Sequence, residues 1–374
     1  MKKLLILFAV INLVSCKKMD HYEITGNIQN VTDNTLISLL QMYDNVGKLI
    51  ETDTIFNGKF SFSGILLEKP TKMHLIIQDR KNYAGSCMFW ADYTKIKITG
   101  SGNFLSTWDA SSDIAEQKIL NLFNEKTKNQ NRLIDSLSLV RMADLQNREL
   151  QTYLLNAIDS VSKINYTIEF DVLKDNINNI NNLTSLNKLY AIAAFSSIDK
   201  SKIRNIFNEM DEKYKNSLIG EGILTKLDQP VPPVIGDKLI DLKLHNLDGK
   251  QFKLSDFSGK FILLDFWSLG CYPCILAAPE LREINEIYKN DLTIVGINLD
   301  TNLNLWKEAT KRDSVTWINL SDGKGTYAGA YSIYGINGMP TYILINPQDT
   351  IIEKWTGFGN GIFKDKLAKF INKK

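Results

Sequence analysis

The pattern of apolar and polar positions changes twice along the chain. Between residues 20 and 105, short runs such as YEITGNI, TLISLLQMY and KIKITG alternate or cluster β-branched and aromatic residues, and DNVGK and FNGKF supply the Gly and Asn of tight reversals. Between residues 110 and 228, apolar residues recur at helical spacing. Beyond residue 229, strand-like apolar runs alternate with helical stretches. The pattern predicts a β unit, a helical unit and an α/β unit.

The β unit is expected over residues 16–108 as an antiparallel β-sandwich or barrel, because short strands follow one another with turn signals between them. Cys87 lies in the apolar run AGSCMFWADY. A cysteine in such surroundings usually behaves as a small hydrophobic residue, so we expect a buried free thiol there. His21 and His74 are isolated and form no catalytic constellation.

The helical unit is expected over residues 109–229. One apolar stripe includes Leu120 and Phe123, another includes Leu133 and Val140, and stripes of this kind normally face a core. The asparagine-rich stretch DNINNINNL predicts a break between two helices. The unit ends at QPVPPVIGD, whose closely spaced prolines predict a stiff, extended linker and a domain boundary.

The α/β unit is expected over residues 230–374. FILLDFW, at residues 261–267, is a continuous apolar run, as a strand buried on both faces requires, and a helical pattern follows it. LTIVGINLD and VTWINL predict two further strands, and TYILINPQDTIIEKWTG predicts a hairpin. Alternation of strands and helices predicts a parallel core whose last two strands are antiparallel.

The first residues differ from the rest of the chain. MKKLLILFAVINLVSC has two lysines, an apolar stretch too short to span a bilayer, and then a small residue and a cysteine, as in a secretory signal. The ending LVSC resembles the lipobox of bacterial lipoproteins, in which the cysteine becomes the lipidated N-terminus. That resemblance implies a signal peptide at residues 1–15, a lipid on Cys16, and a membrane-tethered protein facing the periplasm. The alternative is ordinary secretion with cleavage elsewhere.

The overall charge adds little about partners. The formal net charge is +2, and residues of both signs are interspersed, so the chain shows no electrostatic footprint for nucleic acid. An envelope location does matter for the cysteines, because disulfides form and persist in such compartments. With Cys16 acylated, Cys87, Cys271 and Cys274 remain as thiols or disulfide partners.

The pair Cys271 and Cys274 follows a buried strand and begins a predicted helix. A cysteine at a helix N-terminus faces unpaired backbone N–H groups and the positive end of the macrodipole, which lower its pKa. Cys271 is therefore the expected nucleophile. Cys274, one turn later, is expected to be more buried and to resolve the mixed disulfide. Pro273 fixes φ and allows the first turn to start cleanly.

Asp265 lies within the apolar run of the preceding strand, where a carboxylate is costly. Burial should raise its pKa, which makes it a candidate general acid or base near neutral pH. The alternative is a carboxylate that is paired with a buried lysine and has only a structural role.

Several motifs together resemble one family. LLDFW followed by CYPC, the segment YGINGMPTYILI and the stretch DGKQFKLSDFSGK are similar to the TlpA/ResA group of thioredoxin-fold thiol–disulfide oxidoreductases, over residues 231–374. The resemblance implies a redox disulfide between Cys271 and Cys274, no cofactor, and a cis Pro340 that places the backbone of Met339 against the pair. The β unit resembles the N-terminal domain of unknown function that precedes such modules in bacterial lipoproteins.

The sequence departs from that group at two positions. The group often has glutamate three residues after the second cysteine, where this chain has Ala277, so we assign the proton-transfer role to Asp265. Gly270 replaces the usual tryptophan before the first cysteine, which leaves the substrate preference open. Tyr272 and Trp267 are expected to shape the rim of the site, although Trp267 could instead serve packing.

These observations predict an envelope thiol–disulfide oxidoreductase that works as a reductant. Its expected partners are protein disulfides, with apocytochrome c as a candidate, and an unknown electron donor. Three alternatives exist for the cysteine pair and for the chain as a whole. A structural zinc site lacks a second cysteine pair. A peroxiredoxin-like peroxidase would use Ser268, but the proline that this family needs is absent. A partner-binding lipoprotein, with the redox unit as an accessory, remains open.

Overall fold

The computed structural model describes residues 20–43, 46–66, 68–229 and 231–371. The predicted signal peptide, residues 1–15, and the predicted lipidation site Cys16 lie outside the described residues. Within the described ranges, no helix combines the length and apolar character needed to cross a bilayer.

Two four-stranded sheets form the β domain around one core. Their orders are β4-β1-β7-β8 and β3-β2-β5-β6. The core contains residues from both sheets, such as Ile24, Ile37, Phe89 and Ile96, each with no exposed surface. The arrangement is a sandwich. The strands are β1 (Tyr22–Gln29), β2 (Thr35–Tyr43), β3 (Val46–Ile55), β4 (Lys59–Gly64), β5 (Thr71–Ile77), β6 (Cys87–Ala91), β7 (Lys95–Ser101) and β8 (Asp109–Ser111).

The sandwich differs from the expected one in three respects. Strands β1 and β7 pair in parallel, so the domain is not wholly antiparallel. Strand β8 pairs with β7 and carries the domain past residue 108. Strand β3 was not predicted, because it is an edge strand exposed on both faces along most of its length and so lacks an alternating pattern. Cys87 is buried as expected, and burial raises the pKa of its thiol to about 12.

The helical domain is built from two long helices and four shorter ones. They are α1 (Ala115–Ala143), α2 (Arg148–Asp175), α3 (Leu183–Phe195), α4 (Lys200–Asn208), α5 (Glu212–Lys215) and α6 (Leu218–Leu227). The predicted break lies between α2 and α3, where the Asn182 side chain accepts a hydrogen bond from the Ser185 N–H and begins α3.

The apolar stripes of this domain are only partly buried. Leu120 and Phe123 are buried, whereas Leu133 and Val140 are 48% and 49% exposed. The expectation that all four face a core was therefore wrong for the last two. Helices α1 and α2 pack together as a hairpin, which covers each helix on one side and leaves part of the stripe at the solvent.

A five-stranded sheet of order β13-β12-β11-β14-β15 forms the centre of the C-terminal domain. Strands β11, β12 and β13 are parallel, and β14 and β15 are antiparallel, as expected. The elements are β9 (Lys243–His245), β10 (Gln251–Lys253), β11 (Phe261–Trp267), α7 (Tyr272–Ile287), β12 (Leu292–Asn298), α8 (Leu303–Arg312), β13 (Ile318–Leu320), α9 (Gly329–Ile333), β14 (Thr341–Ile345), β15 (Ile351–Thr356) and α10 (Ile362–Leu367).

Both faces of this sheet are covered. On one face, alternate residues of β11, including Leu264 and Phe266, pack in a cluster with Tyr334. On the other face, Leu263 packs with residues of α7 and α10, including Leu281 and Phe363. Strand β11 is therefore central, and its carboxyl end delivers the chain directly to the cysteine pair.

Candidate active site

The cysteine pair lies at the start of α7, directly after β11. Cys271 is the N-cap residue, and its sulfur accepts a hydrogen bond from the backbone N–H of Cys274 at 3.2 Å. Pro273 lies in the first turn, where the lack of an N–H costs nothing. The two sulfurs are joined in a disulfide, and the Cα atoms are 5.3 Å apart. The geometry presents the sulfur of Cys271 to the N-terminal end of the helix.

Both sulfurs belong to one buried cluster. Cys271 is 5% exposed and Cys274 is 6% exposed, so the expectation that Cys274 would be the more buried of the two was wrong. The reason is that side chains from several loops, including Leu269 and Met339, pack around both cysteines. Tyr272, by contrast, is 67% exposed on the first turn of the helix.

The loop that ends in Pro340 reaches the same cluster. The Met339–Pro340 peptide bond is cis, as predicted, and Met339 packs against the cluster that contains both cysteines. Trp267 is only 2% exposed and packs beneath the pair. Trp267 therefore serves packing and does not form the exposed rim.

Asp265 is buried in the middle of β11, with 2% of its surface exposed. Its pKa is raised to about 8, mainly by burial and secondarily by the negative charge of Asp313. Among the described residues, no ion pair includes Asp265, and its Oδ1 has no hydrogen-bond partner. The alternative, in which a buried lysine pairs with Asp265, is therefore wrong for the described residues.

Tyr342 is a neighbour of Asp265 that the sequence did not single out. The two residues lie opposite each other in the antiparallel pair of β11 and β14. The Tyr342 hydroxyl is also buried without a partner in the described part of the chain, and burial together with Asp265 raises its pKa. Its position in an apolar run, TYILI, carries no sequence signal that separates it from core packing.

Three further residues hold the loop before Cys271 and were also missed. The Leu269 N–H donates to the carboxylate of Asp300 at 2.9 Å, and the Leu269 carbonyl accepts from the Arg312 guanidinium at 2.6 Å. Arg312 also binds both carboxylate oxygens of Asp313, at 2.6 and 2.8 Å. Asp300 follows a buried strand, at the sheet edge where sites form in open α/β folds, and that was the available signal.

Ser268 was the residue on which a peroxiredoxin-like mechanism depended. It is buried, and its hydroxyl forms no hydrogen bond within the described ranges. It therefore does not donate to the sulfur of Cys271, three residues later.

Two parts of the chain match known families. Residues 235–354 match the AhpC/TSA family, and residues 22–115 match a domain of unknown function, DUF4369. The chain is 30% identical over 125 residues to the thiol–disulfide oxidoreductase ResA of Geobacillus thermodenitrificans, which covers 33% of this chain and 70% of the relative. Identity to ResA of Halalkalibacterium halodurans is 28% over 137 residues, covering 36% and 74%.

A solved structure is also similar to part of the chain. The thioredoxin domain of a Bacteroides vulgatus thiol–disulfide oxidoreductase has 29% identity and a TM-score of 0.35, and the match covers 37% of this chain and 99% of that one. Through this C-terminal domain, the chain belongs to the ResA-type thiol–disulfide oxidoreductases of the AhpC/TSA family.

Proposed function

We propose that the protein is a lipid-anchored reductant of protein disulfides in the bacterial envelope, with Cys271 and Cys274 as its redox pair and Asp265 as its proton acceptor. The observation that carries the proposal is the disulfide at the N-terminus of α7, packed against the cis-proline loop and preceded by a buried carboxyl group.

In the proposed cycle, the reduced pair begins with the thiolate of Cys271. It attacks one sulfur of the substrate disulfide, that S–S bond breaks, and one substrate thiolate leaves and takes up a proton. A mixed disulfide now joins the substrate to Cys271. Cys274 loses its proton and attacks the Cys271 sulfur, which breaks the mixed disulfide and releases the second substrate thiol. Two electrons pass from the pair to the substrate, one proton comes from Cys274 and the other from the solvent, and an external dithiol donor restores the pair.

Asp265 is suited to the second step because its pKa, near 8, is close to that of an ordinary thiol. The ionised carboxylate accepts the Cys274 proton. The neutral acid that results is less costly to bury than the carboxylate. Tyr342 lies opposite Asp265 on the neighbouring strand β14.

The envelope location is supported by the signal-like N-terminus and by the lipobox resemblance at Cys16. Proteins with disulfides are the proposed substrates, since the ResA relatives are named thiol–disulfide oxidoreductases, and apocytochrome c is one candidate. Pro340 and Met339 are the proposed backbone contacts for an extended substrate segment, with Tyr272 and Pro273 exposed at the same end of α7.

The test is to express a Cys274→Ser variant in the native envelope. Without the resolving sulfur, substrates should stay joined to Cys271 as mixed disulfides, which mass spectrometry identifies after thiol blocking. A Cys271→Ser variant is the matched control and should capture nothing. If both variants give the same adducts, or if neither gives any, the proposed function is wrong.

A further inference from the structure

The hairpin of β2 and β3, which belongs to the β domain, reaches the loop before Cys271. A Cβ atom built on Gly270 would lie 3.0 Å from Cγ2 of Val46, the first residue of β3. That is closer than an ordinary van der Waals contact, so a side chain at position 270 would displace Val46. The space beside Cys271 is therefore occupied from another domain, which gives the glycine at this position a structural reason.

A small cavity lies between the hairpin and the active-site loops. It has a volume of about 100 Å³ and a mostly apolar surface. Its walls include Tyr43 and Val46 from the hairpin, Leu305 from α8, and Gly270 and Met339 from the loops. These last two residues precede Cys271 and the cis-proline, so the cavity borders both segments that flank the disulfide.

The hairpin contacts α8 beside the cavity. Lys48, two residues beyond Val46, forms an ion pair with Glu308 of α8 at 2.8 Å. This exposed pair contributes little stability alone, but it places Lys48 of β3 beside α8. Further away, the Tyr190 and Tyr327 rings meet edge to face at 4.9 Å and join the helical domain to the C-terminal domain.

The β domain is in turn attached to the helical domain. The indole N–H of Trp90 in β6 donates to the Thr184 hydroxyl at 2.8 Å, and both residues are buried. A continuous series of contacts thus links the sandwich, the helices and the C-terminal domain. The position of Val46 over Gly270 follows from this docking, so the cavity is formed before any substrate arrives.

We propose that the β2–β3 hairpin completes the substrate-binding cleft, and that the cavity takes an aliphatic side chain next to the cysteine of an extended, disulfide-bonded peptide. Tyr43 and Val46 are then specificity-determining residues for the redox reaction. The inference rests on the proposed function, since it assigns a substrate class to that same site.

The size of the cavity sets the class of side chain. An engineered apolar cavity of about 150 Å³ holds benzene. A cavity of about 100 Å³ therefore suits a smaller group such as the side chain of valine or leucine, and excludes an indole. The cavity borders the cis-proline loop, along which an extended peptide would hydrogen-bond, so a side chain next to the substrate cysteine points toward it.

The test compares disulfide-bonded peptides that differ only in the residue beside the cysteine: alanine, leucine or tryptophan. The full-length protein, reduced in advance, is mixed with an excess of each peptide, and the second-order rate constant of this single turnover is measured as kcat/KM. Bis(2-hydroxyethyl) disulfide, which has no side chain for the cavity, reports the chemistry of the cysteines alone. We expect the leucine peptide to exceed the alanine peptide by about tenfold, as apolar pockets discriminate, and the tryptophan peptide to be the poorest.

Two variants change the cavity in opposite directions. Val46→Trp fills it and should abolish the preference for leucine over alanine, whereas Val46→Ala enlarges it and should raise kcat/KM for the tryptophan peptide by about tenfold. Leu49→Trp and Leu49→Ala are matched controls, because Leu49 lies on the same strand, is 55% exposed and does not line the cavity.

The outcomes separate the two proposals. If the parent protein reduces neither the peptides nor the small disulfide, the proposed function fails and this inference fails with it. If the parent reduces all of them but shows no preference for leucine, or if the Val46 variants behave like the Leu49 controls, only the inference is overturned. Should Val46→Trp fail to fold by circular dichroism, Val46→Ala decides.

Discussion

At the scale of single residues, Asp265 should make stability depend on pH. Its pKa of about 8 lies above the value of about 3.9 in an unfolded chain. Between these pH values the folded state binds more protons than the unfolded state. The contribution of Asp265 to the free energy of unfolding is therefore fully present below about pH 3.9 and is lost as the pH rises through about 8. Asp265→Asn should remove this loss, which approaches about 1.4 kcal/mol per pH unit. Urea unfolding at several pH values measures it.

Asp291→Asn is the control for that measurement. The substitution also replaces a carboxylate with an amide, but Asp291 is exposed, immediately before β12. Its pH dependence should match that of the parent. A parallel pH dependence in the parent and in Asp265→Asn would contradict the assignment of the raised pKa to this residue.

The same substitution should slow release of the substrate from Cys271. Resolution of a preformed mixed disulfide needs an acceptor for the Cys274 proton, so its rate in the parent should rise as pH passes through about 8. Asp265→Asn should lack this rise and be slower by about 100-fold at pH 9. Stopped-flow release of a labelled peptide checks both effects, and an unchanged rate would remove Asp265 from the mechanism.

Residues whose role follows from local sequence were predictable. Pro340 sits in a motif that implies a cis bond, and a carboxylate inside an apolar run, as at Asp265, implies a raised pKa. The equal burial of the two cysteines was not predictable, because side chains from distant loops cover Cys271. Tyr342 was not predictable for a related reason, since Asp265, the residue opposite it, lies on another strand.

At the scale of elements, the end of α8 holds the active-site loop. Arg312 spans the Leu269 carbonyl and the Asp313 carboxylate, and Asp313 raises the pKa of Asp265. Lysine keeps the charge but lacks the planar fork. Arg312→Lys should therefore lower kcat/KM about tenfold, the cost of one charged hydrogen bond. The rise in the rate of mixed-disulfide resolution should also move to higher pH. Asp313 is then less well neutralised and raises the pKa of Asp265 further.

The control for this prediction is Lys311→Arg, one residue earlier on the exposed side of the same helix. It should leave both the rate and its pH dependence at parent values. A lower rate in Arg312→Lys with an unmoved pH dependence would show that Arg312 holds the loop without influencing Asp265.

Elements with a clear apolar pattern, periodic or continuous, were predicted, and elements without one were not. Strand β11 is buried on both faces and reads as a continuous apolar run, whereas β3 is exposed on both faces and reads as a loop. Strand β3, which was missed, is the strand that lies beside Gly270. Its residues contact the active-site loop and not a core, so they carry no alternating apolar pattern.

At the scale of the whole molecule, the domains are joined through the segment that follows β13. Tyr190 of α3 packs against Tyr327 and donates to the Thr326 carbonyl at 3.3 Å, and Glu221 of α6 pairs with Lys324. The sequence pattern of one domain does not show which surface of another domain it contacts. The contact between α3, α6 and the segment after β13 therefore could not be predicted from periodicity. The docking makes the β domain part of the active-site wall.

Tyr190→Ser should uncouple the domains. Loss of the ring contact and hydrogen bond is worth about 2 kcal/mol, so the domains stabilise each other less. We expect calorimetry to show the main transition lowered by roughly 5 °C and divided into two. Tyr153→Ser is the control, because Tyr153 lies 69% exposed on α2.

The preference for leucine peptides should fall in Tyr190→Ser as well, since the hairpin is placed by this docking. A divided transition with full preference would show that Lys48 and Val46 hold the hairpin by themselves.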